Sequence, residues 1–130
     1  MINTNLKNSI TIHHIVFTIM DLSETEIFYT KIFGQPFYSN ESTSMYQVGQ
    51  SILIFTQKEQ QDQLLVKFNP LNIGLEHIAF GLKNLKELQE VEKVLTDNDI
   101  QNSGIHLDKS SKKEKIWLND PSNIRIEFYL

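Results

Sequence analysis

Two stretches decide how this chain folds: residues 11–22, TIHHIVFTIMDL, and residues 74–85, GLEHIAFGLKNL. Laying His14-Ile15-Val16-Phe17 over His77-Ile78-Ala79-Phe80 puts the two histidines in one register and Leu22 over Leu85. The offset is 63 residues throughout, about half of a 130-residue chain. Repetition on that scale means that one supersecondary unit is used twice. Either half alone is too small to bury a comfortable core, so a single domain of two similar halves is expected.

Working outward, ITIHHIVFTIM is rich in β-branched residues and reads as a strand. Ser23 with Glu26 three residues later has the form of a helix capping box, and Ile27, Phe28, Ile32 and Phe33 continue at helical spacing up to Gly34. Strand candidates follow at 36–40, 44–48 and 51–56, with Gly49-Gln50 as a turn. The polar run QKEQQDQ and then LLVKFNPLNI look like a connector. After it the order recurs: strand LEHIAFGL, a cap at Asn84 with Glu87, and a stripe of Leu85, Leu88, Val91 and Leu95. Further strand candidates lie at 100–107, 113–118 and 123–130, the last two joined by a turn at Asp120-Pro121-Ser122-Asn123. The expected architecture is α+β: two tandem βαβββ modules, about 10–57 and 74–130 with a linker at 58–73, forming a curved mixed sheet around a trough.

Composition narrows the function. Apolar content of 40% and charged content of 22% suit a globular protein and exclude a disordered one. A net charge of −4 leaves no basic footprint, so neither nucleic acid nor an anionic membrane is an expected partner. The lysines of KSSKKEK read as a solvated loop. The absence of cysteine removes disulfides, thiolate nucleophiles and thiolate-bound metals. MINTNLKNSI lacks the apolar core of a signal peptide, and a cytoplasmic location is the default expectation.

Side chains alternate across a strand, so parity sorts them onto faces. Ile15, Phe17 and Ile19 should pack on the helix while His14, Val16 and Thr18 face the other way. In the second half Ile78, Phe80 and Leu82 oppose His77, Ala79 and Gly81. In the last strand Ile124, Ile126 and Phe128 oppose Arg125, Glu127 and Tyr129. One sheet face in each half is therefore apolar, and the other carries His14, His77 or Glu127. Two imidazoles and a carboxylate suit a divalent first-row metal with open positions: Fe, Mn, Co, Ni or Zn. The bland alternative is two strand histidines bonded to backbone or water and a solvated glutamate.

These same residues carry a resemblance. HIVFTIMDLSETEIFYTKIFG resembles the opening motif of the vicinal oxygen chelate superfamily, with Asp21, Leu22, Phe28, Tyr29 and Gly34 in place. LEHIAFGL is similar to its second metal strand, and DPSNIRIEFYL to its closing strand, with Asn123 where a glycine is usual. The superfamily includes glyoxalase I, fosfomycin-modifying transferases, extradiol dioxygenases, methylmalonyl-CoA epimerases and metal-free bleomycin-binding proteins. The resemblance implies metal ligands at His14, His77 and Glu127 and a homodimer. It also exposes a departure: the strand at 51–56 offers Ile54 where glyoxalase I would have a second carboxylate.

The expected function is Lewis-acid catalysis on a small molecule with neighbouring oxygens, of glyoxalase, dioxygenase or fosfomycin-resistance type. The alternative is a metal-free protein that binds a small drug of the bleomycin type. No catalytic acid or base is assigned. Candidate substrate-binding residues are Lys115 and Arg125 for an anion, Trp117 as an aromatic wall and Tyr129 as a hydroxyl donor. Edge packing and snorkelling stems compete with these roles. Tyr46, against the reading of a core tyrosine, and His106, against that of a surface histidine, are weaker candidates, and His13 faces away from the trough by parity.

Overall fold

The computed structural model describes residues 1–57 and 67–130. Its elements run in the order α1 (Thr4–Ser9), β1 (His14–Ile19), α2 (Leu22–Phe33), β2 (Tyr38–Ser39), β3 (Thr43–Val48), β4 (Ser51–Gln57), β5 (His77–Gly81), α3 (Leu85–Asp97), β6 (His106–Leu107), β7 (Glu114–Asn119) and β8 (Arg125–Tyr129). The strands form two four-stranded mixed sheets, β1-β4-β3-β2 and β5-β8-β7-β6. In each, the first strand runs parallel to the last and the other pairings are antiparallel. The α+β architecture of two βαβββ units is thus present in both halves. Of the expected linker at 58–73, residues 58–66 lie outside the described residues.

Local chemistry explains the elements and the departures. Helix α2 is capped by Asp21, whose Oδ1 accepts from the Glu24 amide at 2.8 Å, and not by Ser23, which lies inside the first turn. Asn84 caps α3 as expected, accepting from the Glu87 amide at 3.0 Å, while Glu87 accepts in return from the Lys83 amide at 2.8 Å. The expected strand at 100–107 shrinks to His106–Leu107. Its backbone groups are taken by side chains: Asn102 bonds the Ile100 carbonyl and the Gly104 amide, and Glu92 accepts from the Ile105 amide. The strand at 36–40 shortens likewise, because Asn40 Oδ1 closes a turn onto the amides of Ser42 and Thr43. Helix α1, capped by Asn3, was not anticipated, and none of its residues is buried.

Parity sorts the faces as read from the strands. Phe17, Ile19, Leu53, Phe55, Ile116, Leu118, Ile126 and Phe128 are buried, with Ile15, Ile78 and Phe80 packed against them. Tyr29 on α2 lies at the centre, its ring 4.1 Å from Phe55 between centroids. The two halves share this core. Phe33 of α2 meets Phe80 and Phe128 at 5.5 and 6.3 Å, and the Tyr29 hydroxyl donates to Asp120 across the halves at 3.0 Å. The turn before β8 also places Ser122 Oγ 3.0 Å from the Met20 amide. This turn needs a left-handed residue, and Asn123 takes φ 67° there while its side chain bonds the Phe68 carbonyl.

Candidate functional site

The site is built on the sheet face that points away from the helices. Register places His77 beside Arg125, Trp117 beside Glu127 and Lys115 beside Tyr129, all on that face of the second sheet. Alternation aims these side chains together while the intervening Ile78, Ile126, Ile116 and Phe128 enter the core.

Glu127 is the centre of the cluster and is 5% exposed. A buried carboxylate needs compensation, and the Lys115 ammonium supplies it here. Lys115 Nζ lies 3.1 and 3.2 Å from its two oxygens, and His77 Nε2 is 3.8 Å from Oε2. Lys115 also reaches Asp108 Oδ2 at 3.3 Å. Partial burial pulls the Lys115 ammonium towards deprotonation, but Glu127 and Asp108 outweigh it and raise its pKa. Asp108 is held below the usual carboxylate range, first by the Ser110 hydroxyl and then by the amides of Ser111 and Ser110. At its other nitrogen, His77 Nδ1 pairs with Glu76 at 3.3 Å. That contact leaves Nε2 to face Glu127.

The predicted ligands are therefore only partly assembled. His77 and Glu127 come together. His14, on the open face of the first sheet, instead has its Nδ1 2.8 Å from Nδ1 of His13. Among the described residues no three His, Asp or Glu side chains are grouped closely enough to hold an ion. Ile54 sits in the first sheet where Glu127 sits in the second: Val16 pairs with Ile54 as Ala79 pairs with Glu127. The missing second acid is thus a matter of register.

The remaining candidates divide. Arg125 stacks on Trp117, its guanidinium carbon 4.0 Å from the ring centre, and its Nε donates to Asn119 at 3.2 Å. Beside them opens a cavity of about 330 Å³ lined by Gln101, Asn102, Trp117 and Asn119. The Tyr129 hydroxyl pairs with that of Ser111. Tyr46 is a core residue, bonded to Thr30 and the Glu26 carbonyl, and His106 bonds the Gly104 carbonyl. Two larger cavities contain none of the predicted site residues: about 680 Å³ beside α2, and about 540 Å³ between the halves among Ile15, Phe33, Leu53, Ile78 and Phe80. Asp108 was missed in sequence because KSSKKEK drew attention to its lysines. The available signal was an aspartate two and three residues ahead of Ser110 and Ser111, the spacing of a side-chain turn.

Comparison with known structures places the fold. A candidate glyoxalase from Bacillus halodurans superposes with a TM-score of 0.80 at 22% identity, over 96% of this chain and 98% of that one. A glyoxylase/bleomycin resistance protein/dioxygenase domain from Frankia sp. EAN1pec gives 0.75 at 18% identity, over 92% and 96% of the two chains. The fosfomycin resistance protein FosX of Listeria monocytogenes, complexed with Mn(II) and 1S,2S-dihydroxypropylphosphonic acid, gives 0.64 at 17% identity, over 93% and 89%. No protein-family profile and no curated protein matches the sequence. The fold is that of the vicinal oxygen chelate superfamily, as the sequence resemblance implied. On that fold, this chain carries a His77–Glu127 pair with a lysine against the carboxylate.

Proposed function

We propose that this protein is an enzyme acting on a small molecule with neighbouring oxygens, and that His77, Glu127 and His14 hold a divalent metal ion. The observation that carries this reading is the His77–Glu127 pair, 3.8 Å apart on the open sheet face. Bonds of about 2.0–2.2 Å from one ion would span up to about 4.2 Å between two ligands, so the pair fits. Contact with Glu76 supports His77 as a ligand through Nε2. His14 lies on the other sheet, and its contribution calls for a second copy of the chain; a homodimer is part of the proposal.

A bound ion with two nitrogen donors and one carboxylate would act as a Lewis acid on the substrate oxygens, and Fe, Mn, Co, Ni and Zn all suit that donor set. The chain's own residues supply the rest. Arg125, held flat by Trp117, offers a positive charge to an anionic substrate group. Trp117 walls the site, and Tyr129 presents a hydroxyl. Ile54 keeps the fourth position free of a protein carboxylate.

The test is metal content per chain in untagged protein, by plasma mass spectrometry. Near-stoichiometric metal is expected, falling to background in His77→Ala and Glu127→Gln. Negligible metal in the parent protein after incubation with each ion would overturn the reading. One observation favours a second reading, a metal-free binder of small drugs: Lys115 already neutralises Glu127 without any ion. Such a binder would keep its ligand affinity in the presence of chelator.

A further inference from the structure

Within the proposed metal site, one contact is out of place. An ammonium group on a ligand carboxylate opposes a divalent cation, yet Lys115 bonds both oxygens of Glu127. The lysine is also within 3.3 Å of a second carboxylate, Asp108 Oδ2. Asp108 is fixed from its other side: Oδ1 accepts from the Ser110 hydroxyl at 2.6 Å and from the amides of Ser110 and Ser111 at 2.8 and 2.9 Å. Its Oδ2 therefore points at the lysine from a turn that is already made.

We propose that Lys115 is a built-in counter-ion, which holds Glu127 in the metal-free protein and passes wholly to Asp108 when a divalent ion takes the carboxylate. The inference rests on the reading of Glu127 as a metal ligand. Two physical consequences follow. Without metal, the lysine protects the fold from an unpaired buried carboxylate. With metal, the lysine gives up one of two ion pairs rather than both, because Asp108 stands ready. Lys115 thereby sets metal affinity, lowering it, and Asp108 partly restores it.

The two residues should then have opposite effects on metal binding. Titration calorimetry of the full chain with Mn²⁺ alone, at one pH, would read this directly. Lys115→Met removes the competitor and should tighten Mn²⁺ binding about tenfold, the effect of losing one partly screened ion pair. Asp108→Asn leaves the lysine with Glu127 as its sole carboxylate and should weaken binding several-fold, on the order of the same pair energy. The double variant should bind like Lys115→Met, since Asp108 acts through the lysine. The metal-free Lys115→Met protein should melt lower than the parent and gain more on adding Mn²⁺.

Should Lys115→Met prove unstable, Asp108→Asn still decides the matter, because it leaves Glu127 paired. Unchanged Mn²⁺ affinity in Asp108→Asn overturns the handover. Parent-like affinity in Lys115→Met overturns competition while leaving the metal site standing. No Mn²⁺ binding in the parent overturns the site and, with it, the inference.

Discussion

Removing the Tyr29 hydroxyl tests how the two halves are joined. Tyr29 is fully buried and Asp120 is 5% exposed, and the hydroxyl donates to Asp120 Oδ2 at 3.0 Å. The other carboxylate oxygen is satisfied by the amides of Ser122 and Ile124 at 2.9 and 2.8 Å. In Tyr29→Phe the shape of the core survives while Oδ2 loses its donor. A hydrogen bond to a charged group is worth about 1.5–3 kcal/mol, against about 0.5–1.5 for a neutral one. For a domain of this size, about 2 kcal/mol lowers the melting temperature by roughly 6–10 °C.

The pH dependence has a definite sign. Burial raises the pKa of Asp120, and its three hydrogen bonds, that from Ile124 foremost, pull it back in part. A carboxyl raised in the folded state contributes stability that is complete below its unfolded value near 3.9 and is lost as pH rises through the folded value. At pH 7 the ionised group is thus on the unfavourable side, and the Tyr29 hydroxyl recovers part of the loss. Tyr29→Phe should therefore cost most at neutral pH and least near pH 4, where the neutral acid needs its partner less. Thermal melts and urea titrations of both proteins at the two pH values would show it. Equal losses at both, or a loss at pH 7 under about 0.5 kcal/mol, the span of an ordinary surface change, would refute this account of the joint.

The other predictions follow from the core, the turn and the metal site. Phe55→Ala should cost about 3–5 kcal/mol in urea unfolding, because Phe55 is fully buried between Phe17 and Tyr29. Asn123→Ala and Asn123→Gly both lose the bond to the Phe68 carbonyl, but only alanine also strains the positive φ. Alanine should be about 1 kcal/mol worse than glycine, and equal stabilities would show that the turn can relax. His77→Ala and Glu127→Gln should each remove bound metal. Lys115→Met and Asp108→Asn should shift Mn²⁺ affinity in opposite directions.

Much of this was legible in the sequence because it is local or periodic. The alternation of Ile15-Phe17-Ile19 against His14-Val16-Thr18 and the cap at Asn84 depend on neighbours a few residues away, and the 63-residue repeat shows as a pattern written twice. The equivalence of Ile54 and Glu127 came from laying Phe55 over Phe128, at an offset of 73 residues rather than 63, and the parallel strand pairings match it. Where sequence reasoning fell short, side chains competed for the backbone. Asn40, Glu92 and Asn102 capture amides or carbonyls that a strand would have used, and pattern alone does not show which polar residue will win.

Only the tertiary structure decided which polar residues meet. His77, Glu127, Lys115 and Asp108 converge from three strands and a turn, and the turn had read as a solvated loop. Tyr29 finds Asp120 across 91 residues. His14 stands apart from His77 despite an identical register, because each belongs to its own sheet. Parity tells a residue which face it occupies. Which faces are brought together depends on how the two sheets pack, and that is set by the shared core around Tyr29 and Phe33.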